Sequence, residues 1–190
     1  MTWWRGSSAR TVHDVEVLAR KLGAVGDDST VDALMPLLAD RRDGVPEAIL
    51  SAFGAIGSER AVAALIEHTK DDREAIRAAA IEGLGLAHTA DAERVLVELA
   101  RHDGEAGQDV AIAALGQLGS DRAVATLAQI ATTSAAATAV TAIEALAETS
   151  SPPAIAALRR LVDSPNPQLA AAAIDGLPPG DANGRRHRPR

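Results

Sequence analysis

The sequence predicts an all-α protein, an α-solenoid (superhelix) of five helical hairpins of about 31 residues followed by a C-terminal helix. Three observations predict it: a short motif returns at a fixed period, each period holds two apolar series with helical spacing, and a turn signal separates the two. The motif is Leu22-Gly23-Ala24-Val25-Gly26, and its copies contain no insertion or deletion. Its copies begin at Leu22, Phe53, Leu84, Leu115, Leu146 and Leu177, and the last two are the weakest. A fixed period of this size is the signature of one repeated unit stacked on its neighbours.

The period divides the chain into a leader, a repeat region and a tail. Residues 1–13 form the leader, which carries Trp3 and Trp4 and is expected to cap the first hairpin. The repeat region, 14–178, consists of units 14–44, 45–75, 76–106, 107–137 and 138–168 and a half unit, 169–178. Residues 179–190 form a basic tail that we expect to be disordered, because it is polar and rich in Gly, Pro and Arg.

Each unit starts with a first helix, here named helix A. In the third unit its apolar series is Ile76, Ala80, Ile81 and Leu84, a spacing that places all four on one helical face. The position after the Leu of the motif holds a small residue in every full unit: Gly23, Gly54, Gly85, Gly116 and Ala147. Small side chains there predict that a neighbouring helix approaches closely.

A turn and a second helix, helix B, follow helix A. The turn column holds Gly26, Gly57, His88, Gly119 and Ser150, where a left-handed backbone is expected to end helix A. The next column holds Asp27, Ser58, Thr89, Ser120 and Ser151, each able to accept a hydrogen bond from the first free amides of helix B. The apolar series of helix B then begins, as at Val31, Leu34 and Leu38.

Composition and charge argue against several functional classes. Among the 190 residues, 47% are hydrophobic and none is cysteine, so neither disulfides nor cysteine zinc sites are expected. The net charge is −7; taking out the tail's +3 leaves −10 on residues 1–178, which disfavours nucleic acid and anionic membranes as partners. No signal peptide or membrane span is evident, and we expect a cytoplasmic protein. No catalytic motif, cofactor fingerprint or metal-ligand spacing is present, and His68 is interpreted as a packed residue beside the core.

The run AAIEGLGLAHTADAERVLVELARHD, residues 79–103, resembles HEAT repeats, in particular the short HEAT-like repeats of the phycobilisome-lyase type. The resemblance extends over about residues 14–177, and Arg77 stands at the site of that family's common helix A arginine. It implies an armadillo-like superhelix that binds other proteins, with the B helices lining a concave face. We therefore expect a non-enzymatic scaffold or adaptor that needs no cofactor. The alternative is a bilin-lyase-like enzyme or chaperone that handles a small molecule in the same groove.

The candidate site is the solvent side of the B helices. The helical wheel and the repeat register place there Asp32, Glu67, Lys70, Arg94, Glu98, Arg101, Gln129 and Arg160. The four basic members contrast with an acidic body, which predicts a protein or peptide partner with an acidic segment. The other interpretation is pairing within each helix, by Arg94 with Glu98, Glu98 with Arg101 and Glu67 with Lys70.

Three further features allow two interpretations each. The solvent columns of helix A hold Glu16, Glu47, Glu82, Asp109 and Glu144, which we interpret as a solvated outer face, with a docking surface for a basic partner as the alternative. Trp3 and Trp4 either cover the first hairpin or provide a contact for self-association. The tail is interpreted as a solvated terminus, and a tail that binds nucleic acid or an acidic partner is the alternative.

Overall fold

The computed structural model describes Val17, Lys21, Gly23 and residues 26–102 and 106–179. These residues fall into two compact units, Met1–Ala92 and Glu93–Arg190. The predictions for Trp3, Trp4, Glu16 and the tail lie outside the described residues.

The first unit contains four complete helices and the first residues of a fifth. They are α1 (Asp28–Leu34), α2 (Val45–Ile56), α3 (Glu59–His68), α4 (Glu74–Ala87) and the start of α5 (Ala90–Arg101). The second unit contains the rest of α5 with α6 (Gln108–Leu118), α7 (Asp121–Thr133), α8 (Ala136–Thr149), α9 (Pro152–Leu161) and α10 (Pro167–Asp175). The odd-numbered helices are the predicted B helices and the even-numbered ones the predicted A helices. No strand occurs among the described residues, so the all-α prediction is confirmed.

The first B helix departs from the predicted continuous helix. It is α-helical only to Leu34 and continues as a 3-10 helix, Met35–Ala39. Pro36 has no amide hydrogen to donate to the carbonyl four residues earlier, so an α-helical turn cannot be completed there. Smaller differences occur in the A helices, where α4 and α8 begin two residues before the predicted unit boundaries.

The predicted left-handed turn between helix A and helix B is confirmed in the second to fifth repeat units. Gly57 and Gly119 have φ of 62° and 61°, and His88 and Ser150 both have φ of 49°. The side chains of the next column accept the predicted hydrogen bonds from backbone amides at the start of helix B. Asp27 accepts from the amides of Ser29 and Thr30, both at 3.1 Å. The other caps accept from the amide three residues later: Ser58 from Ala61 at 3.2 Å, Thr89 from Ala92 at 3.2 Å, Ser120 from Ala123 at 3.0 Å and Ser151 from Ala154 at 3.3 Å. Each cap supplies an acceptor for an amide that has no partner within its own helix.

Neighbouring A helices touch through their main chains at the small-residue column. A Cβ atom on Gly54 would lie 2.8 Å from the Cα atom of Gly83 and closer still to the Gly83 carbonyl oxygen. The same offset of 29 residues joins the other observed pairs: Gly23 with Ala52, Gly116 with Ala145 and Ala147 with Gly176. Every pair contains at least one glycine, so the short helix separation depends on the missing side chain. The prediction of a close helix approach is confirmed for these pairs.

The core lies between the A and B helices. The motif positions Phe53, Leu84, Leu115 and Leu146 are completely buried, as predicted, and Leu177 is 7% exposed. His68 is half-buried, with Nδ1 2.8 Å from the Ala64 carbonyl oxygen, in agreement with a packed histidine. These contacts leave one side of each B helix available to solvent.

Candidate protein-binding surface

All eight predicted site residues are exposed in the structure. Seven of them lie on B helices, which bury their opposite faces through residues such as Leu65, Leu96, Leu127 and Leu158. Lys70 lies in the turn that follows α3, beyond the end of the helix at His68. The repeat register therefore places the polar side chains of each B helix on its solvent side, as expected from a period of 3.6 residues.

In the first unit the surface contains a cross-helix ion pair. Arg60 Nη2 of α3 lies 2.5 Å from Asp32 Oδ1 of α1, and both side chains are more than half exposed. The predicted pair of Glu67 with Lys70 is not formed among the described residues, although both side chains are exposed. Because an exposed ion pair contributes about 1 kcal/mol or less, the Arg60–Asp32 contact can be opened at little cost.

In the second unit a hydrogen bond joins successive B helices. Arg101 Nη2 of α5 donates to Gln129 Oε1 of α7 over 3.1 Å. The predicted pairing of Arg101 with Glu98 is therefore wrong, because the Arg101 side chain extends to the next helix instead. Arg94 and Glu98 do pair, with 3.6 Å between Nη1 and Oε1.

By the repeat register, Arg160 is predicted to extend this surface along α9. It stands 31 residues after Gln129, at the equivalent position of the next B helix, and is exposed. Helices α7 and α9 pack against each other. We call Arg94, Glu98, Arg101, Gln129 and Arg160 the B surface of the second unit. The prediction that Lys70 shares a surface with these residues involves both units and stays a prediction.

Sequence reasoning missed two arginines of these B helices, Arg60 and Arg122. Arg60 pairs with Asp32, 28 residues earlier, and Arg101 bonds to Gln129 across the same offset of 28 residues. By that offset we expect Arg122, exposed in the first turn of α7, to neighbour Arg94. Comparing charges at an offset of 28 rather than at the repeat period of 31 would have found both arginines.

The loops that follow the 3-10 helix and α3 each contain an ion pair between an aspartate and the arginine two residues later. Asp40 lies 2.7 Å from Arg42, and Asp71, one repeat later, lies 2.9 Å from Arg73. In both loops the carboxylate also accepts a 2.9 Å bond from the backbone amide of its arginine partner. Hydrogen bonds from these arginines lower the pKa of Asp40 and of Asp71 to about 2. The repeated geometry fixes the entry into the next A helix, and these charges belong to the turns rather than to the B surface.

The outer side of the A helices agrees only partly with its prediction. Glu82, Asp109 and Glu144 are exposed, as expected for a solvated face. Glu47 is half-buried, and its Oε2 atom is buried without a hydrogen-bond partner. The exposed position predicted for Glu47 is therefore wrong, because the first turn of α2 carries it against the protein.

Residues 26–102 and 106–179 contain no group of three or more His, Asp or Glu side chains placed to hold a metal ion. No helix of the described chain is long and apolar enough to cross a membrane.

Comparison with known proteins identifies the repeat. The family of HEAT repeats matches residues 16–85, 65–139 and 92–178, which together extend over nearly the whole chain. No curated protein matches the sequence significantly.

Several solved structures are similar to this chain. The complex of CpcE and CpcF of phycocyanin lyase from Nostoc sp. PCC7120 is 19% identical, with a TM-score of 0.53 over 89% of this chain and 72% of that chain. Human deoxyhypusine hydroxylase is 18% identical, with a TM-score of 0.45 over 89% of this chain and 80% of that one. A designed armadillo repeat protein in complex with the peptide (KR)4 is 19% identical, with a TM-score of 0.41 over 90% and 96%. The first of these likenesses supports the fold, an α-solenoid. With its repeats matched from residue 16 to residue 178, the chain belongs to the HEAT-repeat family.

Proposed function

We propose that this protein is a non-enzymatic scaffold or adaptor that binds a protein or peptide along the exposed side of its B helices. HEAT repeats are generally used for protein interaction, which supports a protein or peptide partner. The observation that carries the location of the binding surface on the B helices is the hydrogen bond from Arg101 to Gln129. It joins polar groups of two successive B helices into one continuous surface, as binding of an extended segment requires.

The polar contacts of this surface are weak enough to be exchanged for those of a partner. Arg94 and Glu98 are 50% and 61% exposed and 3.6 Å apart. A helical ion pair of this kind contributes only ~0.2–0.5 kcal/mol. A carboxylate of a partner can accept two parallel hydrogen bonds from one guanidinium, which is a stronger arrangement than the one it replaces.

Charge favours an acidic partner segment. Arg94, Arg101 and Arg160 are exposed on the B surface of the second unit, and Glu98 is its acidic residue. Residues 1–178 as a whole carry −10. A locally positive surface on a negative protein attracts an acidic segment there and repels it elsewhere.

The test is a binding measurement with charge-reversed variants. A fluorescent peptide of alternating Glu and Ala residues is titrated with the wild-type chain and with Arg94→Glu/Arg101→Glu. Loss of two charge-assisted contacts should weaken binding by about a hundredfold or more, since each is worth ~1.5–3 kcal/mol. The matched control is Lys21→Glu/Arg41→Glu, which changes the net charge equally at exposed positions outside the B helices.

Equal affinity of the wild type, the double variant and the control would refute the proposed surface. Equal weakening in both variants would show that net charge alone attracts the peptide, and would also refute it. We also propose a cytoplasmic location. Fractionation of cells that produce the tagged chain tests this location.

A further inference from the structure

An open groove of about 900 Å³ lies between the A helices α8 and α10, on elements that the proposed binding surface does not use. Its residues are Ala136, Ala137, Val140, Glu144, Ala147, Glu148, Gln168, Ala172, Asp175 and Gly176. Most of them are small and apolar. Three are carboxylates and none is basic, so the groove combines an apolar floor with a charge of −3.

The packing of the two helices explains the shape of the groove. At one end α8 and α10 are in contact, since a Cβ atom on Gly176 would lie 2.8 Å from the Cβ atom of Ala147. Towards the other end alanine side chains leave the space between the helices unfilled. Glu144, Glu148 and Asp175 are exposed, and no ion pair holds any of them among the described residues.

We propose that this acidic groove binds the chain's own basic tail, residues 180–190, in an extended conformation. The tail carries Arg185, Arg186, Arg188 and Arg190 against Asp181, a net charge of +3 that complements the −3 of the groove. Arginine suits both parts of the groove: its guanidinium pairs with carboxylates in bidentate fashion, and its aliphatic stem packs on an apolar floor.

The point of attachment places the tail beside its site. Helix α10 ends at Asp175, and Leu177 is only 7% exposed, so the chain leaves the fold at the end of the groove formed by Asp175 and Gly176. From Glu148 back to Ala137 the groove follows eleven residues of α8, about 16 Å at 1.5 Å per residue. Eleven extended tail residues reach up to about 36 Å, which is enough to follow the groove along its length.

The tether also strengthens the interaction. A short covalent connection gives the tail an effective concentration in the millimolar range at the groove. Three charge pairs that would be weak between separate molecules are then sufficient for occupancy. A basic segment of another protein has to compete with the tail for this groove.

The experiment compares amide NMR spectra of the full chain with those of a full-length variant in which the four tail arginines are replaced by serine. We expect shifts confined to groove amides such as Val140, Ala147 and Ala172, unchanged on dilution. Glu144→Lys/Glu148→Lys should remove the difference between the two tails. The matched control, Asp72→Lys/Glu82→Lys, reverses two exposed carboxylates outside the groove and should leave the difference intact.

A synthetic peptide of residues 180–190 provides a second measurement. It should bind the serine-tail variant at the groove and the wild-type chain about tenfold more weakly, because the tethered tail competes with it. Identical groove signals for both tails would overturn the proposal. Shifts that increase with protein concentration would also overturn it, since they would place the tail on a second copy of the chain. Neither result depends on the B helices, so the two proposals can fail separately.

Discussion

The contact between Gly54 and Gly83 allows a substitution whose two physical effects have opposite signs. Gly54→Ala adds one methyl group inside α2, where α2 and α4 touch through their backbones. Helix propensity alone predicts a stabilisation of about 1 kcal/mol, because glycine loses more backbone entropy than alanine. Packing predicts the reverse.

The geometry decides which effect is larger. The new Cβ atom would lie 2.8 Å from the Gly83 Cα atom and closer still to the Gly83 carbonyl oxygen, whereas ordinary contacts begin at 3.4 Å. The neighbour is backbone and cannot rotate away, so α2 and α4 have to separate by at least about 0.6 Å at this contact. Overpacking of this kind costs about 1–3 kcal/mol. If the cost lies in the upper half of that range, subtracting the gain of about 1 kcal/mol from helix propensity leaves a net destabilisation of about 1–2 kcal/mol.

Urea denaturation followed by far-ultraviolet circular dichroism measures this difference. Thermal denaturation should show a decrease in melting temperature of about 2–8 °C for a chain of this length. Gly116→Ala, whose Cβ would meet the Ala145 carbonyl oxygen at 2.9 Å, should be less harmful, and Ser51→Ala on the exposed side of α2 should be nearly neutral. If Gly54→Ala instead stabilises the protein, the main-chain contact does not set the separation of these helices.

The remaining predictions concern caps and acid stability. Ser58→Ala should destabilise the protein by about 0.5–2 kcal/mol in a denaturant titration, because an amide of α3 loses its acceptor. Ser120→Ala should cost more by about 0.5–1.5 kcal/mol, since its hydroxyl also donates to Glu93; equal losses would show that this second bond contributes nothing. The pKa of Asp40 and of Asp71 is about 2 in the folded protein and ordinarily 3.8, so the stability from both is fully present above about pH 4 and decreases as the pH falls towards 2. Each pair contributes only on the order of 1 kcal/mol, because the half-exposed arginines are screened by water. The double variant Asp40→Asn/Asp71→Asn should therefore flatten the acid side of a curve of unfolding free energy against pH.

The local features of the fold follow from the sequence. The left-handed backbone at His88 and Ser150 was predictable although neither is glycine, because both occupy a column that is otherwise glycine. The caps were predictable for a similar reason: a hydroxyl or carboxylate three residues before a free amide can form its bond without reference to any other helix.

Contacts between helices could not be derived in the same way. The bond from Arg101 to Gln129 depends on how α5 and α7 are rotated and shifted relative to each other, which the periodicity of one helix does not contain. The same holds for Arg60 and Asp32. The burial of Glu47 also depends on the elements packed against it. The binding surface was thus predictable as a set of exposed positions but not as a network.

The offset of 29 residues between touching A helices affects how the chain can change its length in evolution. Each contact pairs one small residue with another on the neighbouring A helix, as in Gly54 with Gly83 and Gly116 with Ala145. Duplication or loss of a complete 31-residue hairpin reproduces the same pairing at the new junction. An insertion of one residue within helix A rotates everything beyond it by about 100°, so a larger side chain would face the neighbouring backbone. Gain and loss of whole hairpins are therefore the changes in length that this packing tolerates.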